Sequence, residues 1–276
     1  RGAGTQSGAA YRAASGCVQN RRSGKGSVVG TKMTKITAKL VMQSVLAAVW
    51  LREGTARRSW FGPYHGLTFG LRGAGATRRG VFYRAYEQNV TDWLRTAVKP
   101  GMNIYVVGAH VGIHVLYIAR LLRGQGRVIA FEGWPENYDV LKWNVSLNPQ
   151  LGVEIVPLEQ CIARQSGMIE MAKGSADGKH HIAGSGEQAA ETIQVAATSL
   201  DDYWSQSADC PDLILIDIEG YELEALQGGE RLFQTCKPRL ALEHHDRSDD
   251  LLKWLAEHSY AVQTHDKRHI FTRPSP

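Results

Sequence analysis

Gly108 and Gly112, with Ala109-His110-Val111 between them, and Glu132, twenty-four residues after the first glycine, are residues whose types and spacing point to a ligand. A glycine turn between a strand and a helix aims backbone N–H groups into a crevice and lets a ligand approach the main chain. A carboxylate at the end of the following strand can accept both hydroxyls of a ribose. A dinucleotide asks for G-x-G-x-x-G to seat its pyrophosphate, and the third glycine is missing. The pattern therefore favours a nucleoside without a diphosphate, and S-adenosylmethionine fits. Dinucleotide chemistry is disfavoured.

A second set of reactive side chains follows two later apolar runs. Asp217-Ile218-Glu219-Gly220 ends the first run, and Glu243-His244-His245-Asp246 ends the second. If the ligand delivers a methyl group to an unactivated hydroxyl, a general base at the crevice rim helps. Candidates at the rim are His110, His114, Asp217 and His244. Asp217 is the first choice, and a pure cofactor contact is its equal alternative. His114, in the first turn of a helix, is expected more often to cap or pack. Asp217, Glu219 and His244 are types that suit a divalent cation. Asp217 and Glu219 flank one residue, however, and Glu219 is expected to hold the following turn by hydrogen bonds, so no metal ligands are assigned.

The elements that must position these groups are legible in the apolar pattern. Ile104 to Val107 and Arg127 to Phe131 read as buried strands, and Ile113 to Leu122 has helical spacing. Together they form a βαβ unit, whose crossover is almost always right-handed. Pro135 to Leu147 reads as a helix with an early proline, Val153 to Val156 as a third strand, and Glu159-Gln160-Cys161-Ile162-Ala163 follows at its ligand-side end. Gly167 to Met171 and Thr192 to Ala196 read as strands around a polar loop, 173–188, containing His180-His181. That loop reads as solvated rather than as a lid. Leu200 opens a short helix. Pro211 to Ile216 is a strand, Tyr221 to Phe233 a helix, Pro238 to Leu242 a strand and Ser248 to Glu257 the last helix. Tyr260 to Gln263 and His269 to Thr272 close a hairpin. The expected fold is α/β, a doubly wound and mostly parallel sheet with an antiparallel final hairpin and an N-terminal helical extension.

The net charge of +5 conceals two halves. Residues 1–80 carry fourteen Lys and Arg and one acid, whereas residues 81–276 carry eighteen Lys and Arg and twenty-six acids. The acidic body offers no general footprint for nucleic acid. The basic front is a weak pointer to an acidic acceptor. Residues 1–32 hold no acid and no core-forming pattern. They read as a disordered leader or remnant, with Met33 as a biological start. Residues 33–98 read as a helical and irregular cap, and 99–276 as the Rossmann-like domain. Lys32 to Arg52 is amphipathic and expected to pack on the main domain rather than lie on a membrane, and the apolar run from Leu40 to Leu51 is too short to span one. Trp60 to Gly80 reads as short strands and turns, and Val81 to Val98 as a helix. Cys17, Cys161, Cys210 and Cys236 form no C-x-x-C pair, so reduced thiols and a cytoplasmic setting are expected, with neither a zinc site nor a disulfide framework.

The blocks GMNIYVVGAHVG, VIAFEGWPENYDVLKWNVSLN, TSLDDYW, DLILIDIEGYELEALQGGERL and PRLALEHH, in this order between Tyr86 and Leu242, resemble the FkbM family of S-adenosylmethionine-dependent methyltransferases. The resemblance implies a class I methyltransferase fold and O-methylation of a hydroxyl on a sugar or another small natural product. It implies that Gly108, Ala109, His110 and Gly112 form the cofactor turn, and that Glu132 holds the ribose with Gly133 beside it. Cys161 and Ile162 would flank the adenine, and Asp217 would line the floor near the sulfonium. Glu219 and Gly220 belong to the D-x-E-G block that marks the family. In such folds the front segment often covers the acceptor, so Tyr64, His65, Tyr86 and Glu87, with Glu219, are the expected substrate contacts. The chain departs from the family pattern at Val106, His110, Gly133 and Leu215. Val106 replaces a usual acid that helps position the cofactor's amino-acid end. A non-catalytic nucleoside-binding or scaffold protein of the same fold is therefore the alternative reading.

Overall fold

The computed structural model describes residues 54–60, 62–70, 72, 87–174, 180–183, 191–244 and 248–275. All of these lie in the compact unit Trp50–Pro276. The expected leader, the amphipathic segment Lys32 to Arg52, and Tyr86 lie outside the described residues.

Seven strands form the central sheet: β3 (Asn103–Val107), β4 (Arg127–Phe131), β5 (Glu154–Leu158), β10 (Leu213–Ile216), β11 (Arg239–Glu243), β12 (Tyr260–His265) and β13 (His269–Pro274). Their spatial order is β12-β13-β11-β10-β3-β4-β5. β13 alone runs against the direction of the other six strands, and it separates β11 from β12. The final hairpin therefore inserts its second strand into the sheet. Asp266 fixes the hairpin loop by accepting from the N–H groups of Arg268 and His269 at 2.8 and 2.9 Å.

The central strands are apolar on both faces because helices cover both. One core holds Ile104, Val106, Leu116, Ile118, Val128 and Leu215, with helix α2 (Ile113–Leu122). The other holds Tyr105, Val107, Phe131, Ile216, Leu226 and Trp254. The described part of the front segment shares the first core. There lie Tyr64, Leu67 and Phe69 from the β1–β2 hairpin (β1 Ala56–Arg58, β2 Thr68–Gly70), and Val90 and Leu94 from α1 (Gln88–Ala97). Two buried asparagines of the segment containing α3 (Pro135–Ser146) clamp that hairpin down. Asn148 Oδ1 accepts from Thr68 N–H (2.9 Å) while its Nδ2 donates to Thr68 O (2.7 Å). Asn144 accepts from Gly70 N–H and donates to Val111 O, which ties the hairpin to the glycine turn.

Three expectations are corrected. First, β6 (Cys161–Ile162), β7 (Gly167–Ala172), β8 (His181–Ile182) and β9 (Thr192–Thr198) form a separate four-stranded sheet, ordered β6-β9-β7-β8. Its strand β8 holds His181, within the segment read as solvated loop, and His180 stacks on Trp134 at 3.9 Å between ring centres. Second, the helix expected from Tyr221 to Phe233 is broken into α5 (Glu222–Gln227) and α6 (Glu230–Cys236). A side chain at Gly228 would strike Ala163 O, and Asp201, at the start of α4 (Leu200–Ser207), accepts from the first-turn N–H groups of Arg231 and Leu232. The chain thus restarts as a newly capped helix. Third, Cys210 and Cys236 form a disulfide with Cα atoms 5.4 Å apart. They are 26 residues apart in sequence, but the loop entering β10 and the end of α6, which leads into β11, meet at the amino-terminal ends of these two neighbouring strands.

Candidate active site

The strand order reverses its progression between β3 and β10, and at such a switch point the carboxyl ends of parallel strands leave a crevice. The turn Gly108–Gly112 lies at the end of β3. Gly108 has φ +80°, and a Cβ on it would collide with the carbonyl of Asp217, the residue that follows β10. Gly112 has φ +87°, and a Cβ on it would lie 2.6 Å from Leu141 Cδ1. The N–H groups of Gly108 and Ala109 donate to Phe131 O at 3.0 and 2.8 Å, which locks the turn to the end of β4.

Glu132 follows β4 and is buried. Its Oε2 accepts from His110 N–H at 2.7 Å and its Oε1 from Trp134 N–H at 2.9 Å. Burial pushes its pKa up to about 7, against the pull of those two N–H groups and of Asn137. Behind it, Gly133 leaves no room for a side chain because Cys161 Sγ and Met171 Sδ press on it. Cys161 thus faces Gly133, and burial raises its thiol to about 12. The Ile162 side chain lies instead in the core with Val107 and Phe131.

Beyond β10 is an acidic pocket of about 240 Å³, counting its open mouth, lined by Glu87, His114, Asp217, Glu243, His269 and Phe271 among others. One carboxylate oxygen from each of Glu87, Asp217 and Glu243 falls within a group spanning no more than 4.8 Å. Glu87 precedes α1 in a left-handed conformation (φ 37°), and its Oε2 lies 2.6 Å from His114 Nε2. Although burial opposes it, the His114 hydrogen bond and charge hold the Glu87 pKa below its usual value. Asp217 shifts the other way, to about 7, because burial and the charges of Glu87 and Glu219 disfavour its anion. Glu243 is paired with Arg268.

The pocket brings together Glu87, His114 and Asp217 of the residues singled out from the sequence. Of Asp217, Glu219 and His244, the trio weighed and set aside as metal ligands, only Asp217 lines it. His244 is turned to the hairpin loop, its Nε2 3.1 Å from Asp266 O. Glu219 sits at φ 52° in the turn after β10, and the residue holding that turn is Glu222, whose Oε1 accepts from Gly220 N–H at 3.0 Å and Ile218 N–H at 3.4 Å. The turn-holding role expected of Glu219 thus has a donor-by-donor account in Glu222. Tyr64 is fully buried against Phe69 and Tyr117, so it is a core residue, and burial raises its pKa strongly. His65 is exposed on the turn before β2. Sequence reasoning passed over Glu243 and His269. Their signal is tertiary, since the two are directly opposite across β11 and β13.

The chain is 28% identical over 177 residues to the hexuronic acid methyltransferase AglP of Haloferax volcanii, covering 62% of this chain and 68% of that protein. In three dimensions it is similar to the crystal structure of methyltransferase FkbM from Methylobacillus flagellatus KT, with a TM-score of 0.48, 16% identity and 66% of this chain covered. The chain spans half the length of that protein. A precorrin-6y C5,15-methyltransferase from Geobacter metallireducens GS-15 gives a TM-score of 0.45 at 13% identity, over 69% of this chain and 90% of that one. The model of the methyltransferase FkbM domain matches residues 107–262, from the glycine turn through the acidic strand ends into the final hairpin, and the chain belongs to that family.

Proposed function

We propose that this protein is an S-adenosylmethionine-dependent O-methyltransferase whose acceptor is a hydroxyl of a sugar or another small natural product. The observation that carries this reading is the pairing, at one switch point, of the Glu132-bonded glycine turn with the acidic pocket beyond β10, in a chain of the FkbM domain family. The residues present suit the cofactor. Glu132 accepts one backbone N–H on each oxygen and a further hydrogen bond from Asn137, which leaves acceptor capacity on the carboxylate for a ribose hydroxyl. Gly108, Ala109, His110 and Gly112 offer main chain to the amino-acid end, with Cys161 and the neighbourhood of Gly133 toward the base. When bound, S-adenosylmethionine supplies a methyl group already activated on a sulfonium.

The chain's own task is then alignment and proton removal. Asp217 adjoins both the turn and the pocket, and its raised pKa makes it a base matched to neutral pH for an acceptor hydroxyl. Glu87 and His114, joined to each other, line the same pocket and would face the acceptor there. A small-molecule acceptor agrees with the acidic balance of residues 81–276. The relative named for hexuronic acid makes an acidic sugar the first acceptor to try. The second reading, a non-catalytic nucleoside binder, is favoured by Val106, which is buried in the sheet between Ala130 and Leu215 and brings no charge to the turn.

Calorimetric titration with S-adenosylhomocysteine, on wild type and Glu132→Ala, tests the cofactor half. Micromolar binding that disappears in the variant is expected, and no binding by wild type overturns the reading. Methyl transfer to hexuronates and neutral hexoses then tests the acceptor half. Binding without transfer to any hydroxylated acceptor favours the second reading, and equal transfer to neutral and acidic sugars removes the preference for an acidic one.

A further inference from the structure

We propose that Glu87, Asp217 and Glu243, with His269, form a divalent-cation site in the acceptor pocket. Two independent observations meet there. The first is the convergence of three carboxylate oxygens within 4.8 Å, contributed by three different parts of the fold. The second is His269, which is more than nine-tenths buried and lines the same pocket. Its Nδ1 faces Asp266 Oδ1 at 3.2 Å, and its Nε2 is buried with no hydrogen-bond partner among the described residues. A buried imidazole nitrogen without a partner is costly unless something fills the position.

The backbone explains why these groups meet. Glu243 ends β11 and is directly opposite His269 on β13, so their side chains share a face of the sheet. Asp217 follows β10, which pairs in parallel with β11. Glu87 approaches from the front segment and lines the same pocket as His269. Arg268 and His114 each engage one oxygen of Glu243 and Glu87. The remaining oxygens are Glu87 Oε1, Glu243 Oε2 and both oxygens of Asp217, which no donor contacts among the described residues. Three hard carboxylate oxygens with one imidazole suit Mn²⁺ or Mg²⁺, and the imidazole tilts the choice to Mn²⁺.

The role of the site rests on the O-methyltransferase reading, although the site itself does not. Three carboxylates around an acceptor pocket repel an anionic acceptor. A bound divalent cation offsets most of that charge and can coordinate the acceptor's carboxylate or hydroxyl oxygen, while the second oxygen of Asp217 stays available to the reacting hydroxyl.

The test uses the full chain, freed of metal with EDTA and titrated with Mn²⁺ while the free-ion electron paramagnetic resonance signal is followed. One saturable Mn²⁺ per chain is expected, displaced by excess Mg²⁺. Glu87→Gln and Glu243→Gln should each weaken it at least tenfold. Circular dichroism and S-adenosylhomocysteine titration on the same variants show that fold and cofactor site survive. Glu87→Gln guards against Glu243→Gln failing through its lost pair with Arg268. Absence of a stoichiometric site at millimolar Mn²⁺, or unchanged affinity in two folded variants, overturns the proposal. Failure of S-adenosylhomocysteine to bind wild type that still takes one Mn²⁺ would instead strike the cofactor reading alone.

Discussion

Gly108→Ala should damage the candidate site more than its backbone angle alone explains. The residue sits at φ +80°, where any L-residue pays roughly 1–2 kcal/mol. Its new Cβ would also run into the Asp217 carbonyl and lie 2.9 Å from Ile218 Cγ2. The first atom is backbone, locked by the donation of Asp217 N–H to Val107 O, so it cannot swing aside as a flexible side chain would. Overpacking of this kind costs about 1–3 kcal/mol. The sum is about 2–5 kcal/mol. Gly101 provides the control, since it has φ +91° with open space around the position of a Cβ. Gly101→Ala should lose only the conformational part, about 1–2 kcal/mol. Urea unfolding of both variants measures the difference, and the slope of each transition checks that they unfold as one unit. Gly108→Ala should also lose S-adenosylhomocysteine affinity, because the displaced carbonyl belongs to the turn that carries Asp217. Equal stability of the two variants would show that the close approach of Gly108 to Asp217 does not exist in solution.

Three more outcomes are expected. Glu222→Ala removes the acceptor for Gly220 and Ile218 N–H, so it should cost about 1–2 kcal/mol in urea unfolding and weaken transfer through a loosened Asp217 turn. A stability loss with unchanged kcat/KM would detach that turn from the chemistry. Asn148→Ala leaves both main-chain groups of Thr68 without their partner and should cost about 1–3 kcal/mol, with cofactor affinity unchanged. Glu132 has a folded pKa of about 7, above its unfolded value near 4.5, so the folded state holds the extra proton between those limits. Its contribution is fully present below pH 4.5, fades as pH rises to 7 and is about 3 kcal/mol smaller above it. Denaturation of wild type and Glu132→Gln across pH 4.5–8 should show a steeper fall in wild type, by about 3 kcal/mol, because Asp217, also raised to about 7, contributes its own slope to both proteins.

The turn-and-carboxylate half of the candidate site was legible because one contiguous stretch builds it. Residues 101–132 hold strand, turn, helix, strand and carboxylate in sequence order, and β3, α2 and β4 form where the apolar pattern puts them. Gly108, Gly112 and Glu132 meet through bonds that span at most a βαβ unit, so spacing alone carries the information. Tyr64 shows the limit of such reading. An aromatic ahead of the core suggested an acceptor contact, but nothing local could reveal that Phe69 and Tyr117 enclose it. The break at Gly228-Gly229 was hidden for the same reason, since its cause is the distant backbone of Ala163 and the carboxylate of Asp201.

The acidic-pocket half of the candidate site obeys a different logic. Glu87, His114, Asp217, Glu243 and His269 are spread along the chain, and each looks ordinary where it stands: a helix flank, a first helical turn, two strand ends and a hairpin. Glu243 in particular reads as the polar stop of an apolar strand. It becomes a site residue only because β13 inserts beside β11 and sets His269 opposite it, while β10 carries Asp217 along the other edge. Insertion of that one antiparallel strand therefore does two things. It completes the sheet, and it turns the ends of separate strands into one charged wall. Val106 gains meaning from the same arrangement. The central strand brings no carboxylate to the crevice, and the charge on the acceptor side comes from the front segment and the later strands. An acid missing from a family motif thus says little about catalysis until the groups that the fold gathers around the vacancy have been weighed with it.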